Sequence, residues 1–291
     1  MKFVDNLSTG KKVIIERYPQ FIDSIFVEDT TGWDNYVVKV DNEYIFRFSR
    51  DEGALRTIKM EYDVLSYLHK ELPSNIEVPN FIFSNLDSDY PFVGYKMIKG
   101  KFLSNELYNS MTEEEKKSFI KNMMTFTNIL HGLDINRFNL DVEDPYEIYK
   151  MRFNEFKEKC FPVFDEELKQ KSNLLFNNYF NDKNMMNINK TVIHGDLSSD
   201  HIIITEKGVG VIDFGDTRVF DNAYDFQWLY MLGEDTLDKA LTMYNNKIDD
   251  YFKKRVQFYT SIIPYHGVVY ALETNNNEML KKEIKTLKKA K

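Results

Sequence analysis

Cys160 is the only thiol in 291 residues, so the chain can form no intrachain disulfide and no cysteine cluster for zinc. A reducing, cytoplasmic setting is expected. No run approaches the ~18 apolar residues of a membrane span, and Asp5 and Asn6 stand where a signal peptide needs its apolar core. No membrane partner is expected. Basic residues are in deficit, 38 Lys and Arg against 46 Asp and Glu, and the net charge of −8 argues against a nucleic-acid binder, whose phosphate contacts need clustered cations. Residues 281–291 carry six Lys and one Glu, which reads as a solvated helix face and leaves −13 on the remainder, a body suited to a cationic small molecule. Glycine (12) and proline (7) are too few for a collagenous or disordered chain, and 43% hydrophobic residues suffice for one large or two smaller folded domains. A monomer is expected.

The first hundred residues read as a sheet with one helix. Short β-branched and aromatic runs at 22–27, 36–40 and 44–48 predict strands, the last two joined by a turn at Asp41-Asn42-Glu43. Between 52 and 72, Leu55, Ile58, Tyr62, Leu65, Leu68 and Leu72 follow the three-and-four spacing of an amphipathic helix, which Pro73 ends. Strands are predicted again at 80–83 and 92–98. Past Gly100 long helices take over: one is capped by Thr112, with Glu115 at the capping-box position, and runs to His131; another covers 144–180. An apolar island at 191–212, broken by a polar loop, precedes helices from Asp221 onward. The expected class is α+β, with a boundary near 98–101 that separates a sheet-rich 1–98 from a mainly helical 99–291.

The segment His194-Gly-Asp-Leu-Ser-Ser-Asp-His201 places two His and two Asp in a polar loop between apolar runs. A turn at 206–208 follows, then Val209-Gly-Val-Ile-Asp213. A hairpin centred near residue 207 would pair 202 with 212 and 201 with 213, because partners in an antiparallel ladder keep a constant sum. His201 and Asp213 then become neighbours at its open end, beside the loop bearing Asp196. Moving a phosphoryl group requires a base near the attacking hydroxyl and hard ligands for Mg²⁺. Asp196 is the candidate base, and Asp213 and His201 are the candidate metal ligands. The five-position step from Asp196 to His201 agrees with the kinase catalytic loop, and Asp213-Phe214-Gly215 reproduces the Asp-Phe-Gly metal motif seventeen residues after Asp196.

The N-terminal sheet supplies independent support. Arg47 lies inside a strand, and Glu61 sits three residues after Ile58 and four before Leu65, on the apolar face of its helix. Charges so placed need partners. Pairing them makes Glu61 the residue that orients Arg47 and Arg47 the residue that holds nucleotide phosphates. Gly32-Trp33-Asp34-Asn35, between two strands, is the candidate loop over those phosphates.

Gly-Trp-Asp-Asn at 32–35, Ile45-Phe-Arg-Phe48, the 194–201 segment and Ile212-Asp-Phe-Gly-Asp216 together resemble the aminoglycoside phosphotransferases, particularly the 2″-phosphotransferase branch. The resemblance implies a bilobal protein-kinase-like fold and a Mg²⁺–nucleotide cofactor with ATP or GTP as donor. Transfer would be of the γ-phosphate to a hydroxyl of an aminoglycoside, which makes the chain a resistance enzyme. Asp34, Asn35, Arg47 and Glu61 would serve the nucleotide, as would a hinge at Met97 and Ile98. Asp225 matches a family aspartate that braces the catalytic loop. Arg47 stands where many kinases have Lys, which changes the fork geometry, and His201 replaces the commoner Asn, a softer ligand for Mg²⁺.

Other residues read less sharply. Glu234 and Asp235 are candidate carboxylates for substrate ammonium groups, or acids at a helix N-terminus. His69 and His131 read as surface residues near helix ends, Cys160 as an inert, partly buried thiol, and His266 as either cleft-lining or packed. Competing functions are a kinase of the same fold for a macrolide, choline or sugar, and a nucleotide-binding pseudokinase, which intact Asp196, Asp213 and Arg47 disfavour. A metallohydrolase built on His194, Asp196, Asp200 and His201 would leave Arg47 and Glu61 unexplained.

Overall fold

The structure is a computed structural model that describes residues 2–29 and 35–289. Gly32, Trp33 and Asp34 of the expected phosphate loop lie outside the described residues. The chain forms two compact units: Met1–Leu130, Asn136–Leu140 and Ser199–Thr217 make the first, and His131–Ile135, Asp141–Ser198 and Arg218–Lys291 the second.

In the first unit, α1 (Leu7–Arg17) precedes β1 (Phe26–Asp29), β2 (Asn35–Val40) and β3 (Tyr44–Ser49). Then come α2 (Glu52–Glu71), β4 (Ile76–Glu77), β5 (Phe83–Ser84), β6 (Phe92–Lys96), β7 (Lys101–Phe102), α3 (Asn105–Ser110) and α4 (Glu113–His131). Strands order as β1-β2-β3-β6-β5, with antiparallel pairing throughout this sheet. The β2–β3 turn is tight because Asp41 and Asn42 both take positive φ (53° and 52°), which these two residue types tolerate, and the Glu43 amide donates to the Val40 carbonyl at 3.0 Å. Register then sets Arg47 opposite Val37 on one side and Val93 on the other. Helix α1 seals the sheet: a Cβ on its Gly10 would meet Val38 at 3.3 Å and Val4 at 3.4 Å.

The remaining elements are α5 (Pro145–Lys159), α6 (Glu166–Asn181), β8 (Lys190–Ile193), β9 (Ile202–Ile204), β10 (Val209–Val211), β11 (Arg218–Asp221), α7 (Gln227–Leu232), α8 (Glu234–Leu241), α9 (Phe252–Glu273) and α10 (Asn277–Lys289). β9 and β10 join the first unit in a second sheet of order β4-β10-β9-β7, while β11 and β8 pair in the second unit. The class is α+β, an antiparallel N-terminal sheet followed by a mainly helical region. Among the described residues no helix is long and apolar enough to cross a membrane.

Several expected elements differ. The strand expected at 22–27 begins only at Phe26, because Pro19–Phe21 forms a 3-10 turn that the Ser24 amide extends to the Phe21 carbonyl at 3.1 Å. Of 80–83 only Phe83 enters a strand, since the Ile82 amide turns back to Asn80. The helix expected over 144–180 is two, α5 and α6: Pro162, with no N–H to give, sits in a 3-10 turn between them, and Asp165 caps α6 through the Leu168 amide at 2.9 Å. The Thr112–Glu115 capping box forms in both directions.

In the second unit Arg255 is fully buried. Its Nε donates to Asp221 at 2.6 Å, its two terminal nitrogens to Asp249 at 2.9 and 2.7 Å, and the Tyr259 hydroxyl donates to Asp221 at 2.7 Å. Burial raises the Asp221 pKa above the usual carboxylate value even so. Arg255→Ala should therefore cost about 3–5 kcal/mol, because it strands a buried carboxylate. Urea unfolding checks this, and a loss under about 1 kcal/mol would show that the network is merely tolerated.

Candidate active site

Arg47 and Glu61 meet in the first unit. Arg47 is 8% exposed and Glu61 0%. Strand β3 delivers the guanidinium and the apolar stripe of α2 the carboxylate. The fork is bidentate, Nη1 to Oε2 at 2.7 Å and Nη2 to Oε1 at 2.8 Å, and it leaves Nε–H outside. Burial works against the Arg47 charge, but the Glu61 carboxylate outweighs it and lifts the guanidinium pKa above its ordinary value, with Tyr95 and Asp213 adding to the effect. The Tyr95 hydroxyl, buried in the same field, is pushed up to about 12.

The β9–β10 hairpin carries the second half. Its turn holds two residues, Glu206 and Lys207, closed by reciprocal bonds between Thr205 and Gly208 at 3.1 and 3.3 Å. Gly208 needs its φ of 156°, and a side chain there would strike the Asn75 carbonyl. The expected register centred on residue 207 is thus corrected by one: Val211 faces Ile202, and Ile212 donates to the His201 carbonyl at 3.0 Å. His201 stands opposite Ile212, not Asp213. Asp213 still reaches it, because the strand ends there and Asp213 turns into the left-handed region at φ 65°, bringing its Oδ2 to 3.6 Å from His201 Nε2.

That separation exceeds a hydrogen bond. Two ligands each about 2.1 Å from one ion lie roughly 3–4.2 Å apart, so one imidazole and one carboxylate fit a shared Mg²⁺, an ion that keeps the rest of its shell for phosphate oxygens and water. Consistent with this, no group of three or more His, Cys, Asp or Glu among the described residues is placed to hold a metal unaided.

Asp196 lies exposed in the second unit, on the 194–198 loop. The loop backbone is pinned from below. Asp225, buried in the 3-10 stretch Asn222–Phe226, accepts from the His194 amide at 2.7 Å and the Gly195 amide at 3.0 Å, and Gly195 has the positive φ (84°) that favours glycine. Burial works to raise the Asp225 pKa, but the surrounding donors, His131 first, hold it below the ordinary carboxylate value.

Asn35 opens β2 opposite Ser49 and is buried. The Met97 amide donates to the Glu43 carbonyl at 2.7 Å, and Ile98 lies over Gly210, where an added Cβ would be 2.6 Å from Ile98 Cγ2. Glu234 and Asp235 form the exposed first turn of α8, with Gln257 donating to Glu234 at 3.2 Å. His266 packs edge-on against Phe156 at 5.1 Å on α9. Cys160 is wholly buried, and burial pushes its thiol up to about 12. The surface reading of His131 is overturned: at 2% exposure it bonds Asp225 and Tyr244. Its signal was present, because 120, 124, 127 and 131 form one buried stripe on α4.

The same fold occurs in several solved proteins. The complex of APH(2″)-IIIa with GDP and kanamycin aligns with a TM-score of 0.84 at 21% identity, over 97% of this chain and 98% of that one. A streptomycin–ATP ternary complex of APH(2″)-IIa gives 0.73 at 18%, over 99% and 98%. The macrolide 2′-phosphotransferase MphH from Brachybacterium faecium gives 0.65 at 16%, over 91% and 93%. These likenesses are of fold. Family membership rests on sequence: the model of the phosphotransferase enzyme family, APH, matches residues 26–253, a span that takes in Arg47, Glu61, Asp196, His201 and Asp213. The chain is a member of the phosphotransferase enzyme family.

Proposed function

We propose that the protein is a small-molecule kinase that moves the γ-phosphate of ATP or GTP to a hydroxyl of an aminoglycoside, and so acts as an antibiotic-resistance enzyme. The observation that carries the nucleotide half is the dry Arg47–Glu61 fork, close enough to Asp213 for its charge to act on Arg47. Glu61 fixes the guanidinium, whose remaining donors meet the nucleotide phosphates. Asp34 and Asn35 belong to the loop that would cover the phosphates, and Met97 and Ile98 border the base, so that 1–98 serves as the nucleotide lobe and 99–291 as the catalytic and substrate lobe. His201 and Asp213 would hold Mg²⁺, which when bound would neutralise phosphate charge and orient the donor. Asp196 accepts the proton of the attacking hydroxyl as the new O–P bond forms and the bond from the γ-phosphorus to the bridging oxygen breaks, releasing the nucleoside diphosphate. Glu234 and Asp235 receive substrate ammonium groups. The protein works as a cytoplasmic monomer.

The acceptor follows from charge. With −13 outside the basic tail, capture of a polycation is steered electrostatically. The solved relatives include kanamycin- and streptomycin-bound proteins, and also a macrolide phosphotransferase. A nucleotide-consumption screen across aminoglycosides, macrolides and choline, with ATP and with GTP, separates the readings. At saturating nucleotide and Mg²⁺, kcat/KM for an aminoglycoside should fall steeply as salt shortens the Debye length from about 30 to 8 Å. A macrolide or choline, each with a single cationic centre, should show a shallow slope. A best acceptor indifferent to salt would remove the aminoglycoside assignment.

A further inference from the structure

Behind the loop that carries Asp196 lies a chain of buried polar groups assembled from distant parts of the second unit. His131 ends α4, Asn222 and Asp225 belong to the 3-10 stretch after β11, and Tyr244 follows α8. His131 Nε2 is 3.0 Å from Asp225 Oδ2, and its Nδ1 is 2.7 Å from the Tyr244 hydroxyl. The Asn222 side-chain amide donates to that hydroxyl at 3.1 Å and to the Lys247 carbonyl at 3.1 Å. An ionised carboxylate only accepts, so Nε2 carries the proton. In the neutral imidazole Nδ1 accepts from the Tyr244 hydroxyl, which thereby has a partner for its own proton, and the Tyr244 oxygen accepts from Asn222. Every bond in the line runs one way: Asn222 to Tyr244, Tyr244 to His131, His131 to Asp225. At the far end Asp225 Oδ2, the oxygen that His131 holds, also receives the His194 amide, and Oδ1 receives Gly195.

We propose that His131, held by Tyr244, is a positioning residue for phosphoryl transfer: it fixes the rotation of the Asp225 carboxylate and through it the backbone that presents Asp196. The inference rests on Asp196 being the base. A carboxylate has two oxygens that must each face one amide of consecutive residues, and a free torsion about its Cβ–Cγ bond would spoil both bonds together. A third donor, rigidly mounted, removes that freedom. The imidazole is rigidly mounted, edge-on to Tyr244 at 5.7 Å and to Phe226 at 6.2 Å between ring centres. Asp196 is the residue after the two anchored amides, so a small rotation of Asp225 becomes a displacement of the base. Misplacement by about 1 Å is enough to cost on the order of 10²-fold in rate. The nucleotide groups Arg47, Glu61, His201 and Asp213 belong to the other unit and take no part in this line.

The test uses the full chain, with release of nucleoside diphosphate from ATP and from GTP measured with kanamycin as acceptor and with water alone. His131→Leu should lower kcat by about 10–100-fold with both acceptors while nucleotide KM stays within about twofold. His131→Gln, which can offer a donor to the same carboxylate, should recover to within about fivefold of the parent. Tyr244→Phe removes the hydroxyl and little volume, and should lower kcat by about three- to tenfold at unchanged KM. In an Asp196→Asn background, His131→Leu should change the residual rate by less than about twofold, since it acts only through the base. A merely structural role predicts otherwise: a lowered Tm with parental kcat, or an equal loss in both backgrounds, and either result overturns the proposal. Should His131→Leu fail to fold, Tyr244→Phe decides, and parental kcat in that variant overturns it. Undiminished turnover in Asp196→Asn alone, where His131 is intact, would instead sink the base assignment and take this inference with it.

Discussion

Asp196→Asn should lower kcat by about 10²–10⁴-fold and leave the nucleotide Kd within about twofold of the parent. The amide keeps the size of the carboxylate and the loop anchored on Asp225, but it takes no proton from an attacking hydroxyl. On the proposed roles Asp196 meets the acceptor and the fork at Arg47 the nucleotide, which assigns the loss to turnover. Steady-state kinetics beside calorimetric nucleotide titration separates the two quantities. A variant that turns over at more than about a tenth of the parental rate would remove Asp196 from the chemistry.

Asp213→Ala should weaken nucleotide binding in Mg²⁺ by about 10²-fold, and His201→Ala by about tenfold. A carboxylate neutralises metal charge directly, whereas a neutral imidazole is the softer ligand. With EDTA in place of Mg²⁺, all three proteins should bind alike. Asp213 has a φ of 65°, which alanine adopts less readily, so Asp213→Asn is the companion variant: asparagine tolerates that backbone and still lacks the charge. If His201→Ala proves the more damaging in the same titrations, the imidazole and not the carboxylate is the principal ligand.

Legibility from sequence divided by distance along the chain. The β2–β3 turn, the amphipathic α2 and the Thr112–Glu115 box were all readable, because their causes lie within a few residues. The Arg47–Glu61 contact was readable for a different reason: each charge stood at a position whose spacing demanded burial, and two such violations imply each other. His131 obeyed the same rule, since its stripe on α4 is buried, but its partners lie 94 and 113 positions away and no local pattern announces them. Helix α1 leaves no periodic signal in the sequence, because only Gly10 and Ile14 of its eleven residues are buried. β4 and β7, of two residues each, exist through pairing with β10 and β9, which no local reading supplies. The β9–β10 register differs by one from the expected one because the turn holds two residues and not three, a difference that depends on the Thr205–Gly208 closure.

That short turn has a consequence for how the chain can vary. Exposed loop tips are ordinarily where insertions and deletions accumulate without harm, since nothing packs on them. The tip at Glu206-Lys207 is exposed, yet the position of His201 is counted from it along β9, and that of Asp213 along β10. An added residue taken up by the ladder, with the turn kept at two residues, would offset its two sides, and a one-residue slip turns every side chain of the moved strand to the opposite face. His201 and Asp213 would then point apart, several residues from the change. Among natural variants of this chain, the loop between residues 205 and 208 should hold constant length even where its residue types drift freely, a constraint imposed by arithmetic and not by contact.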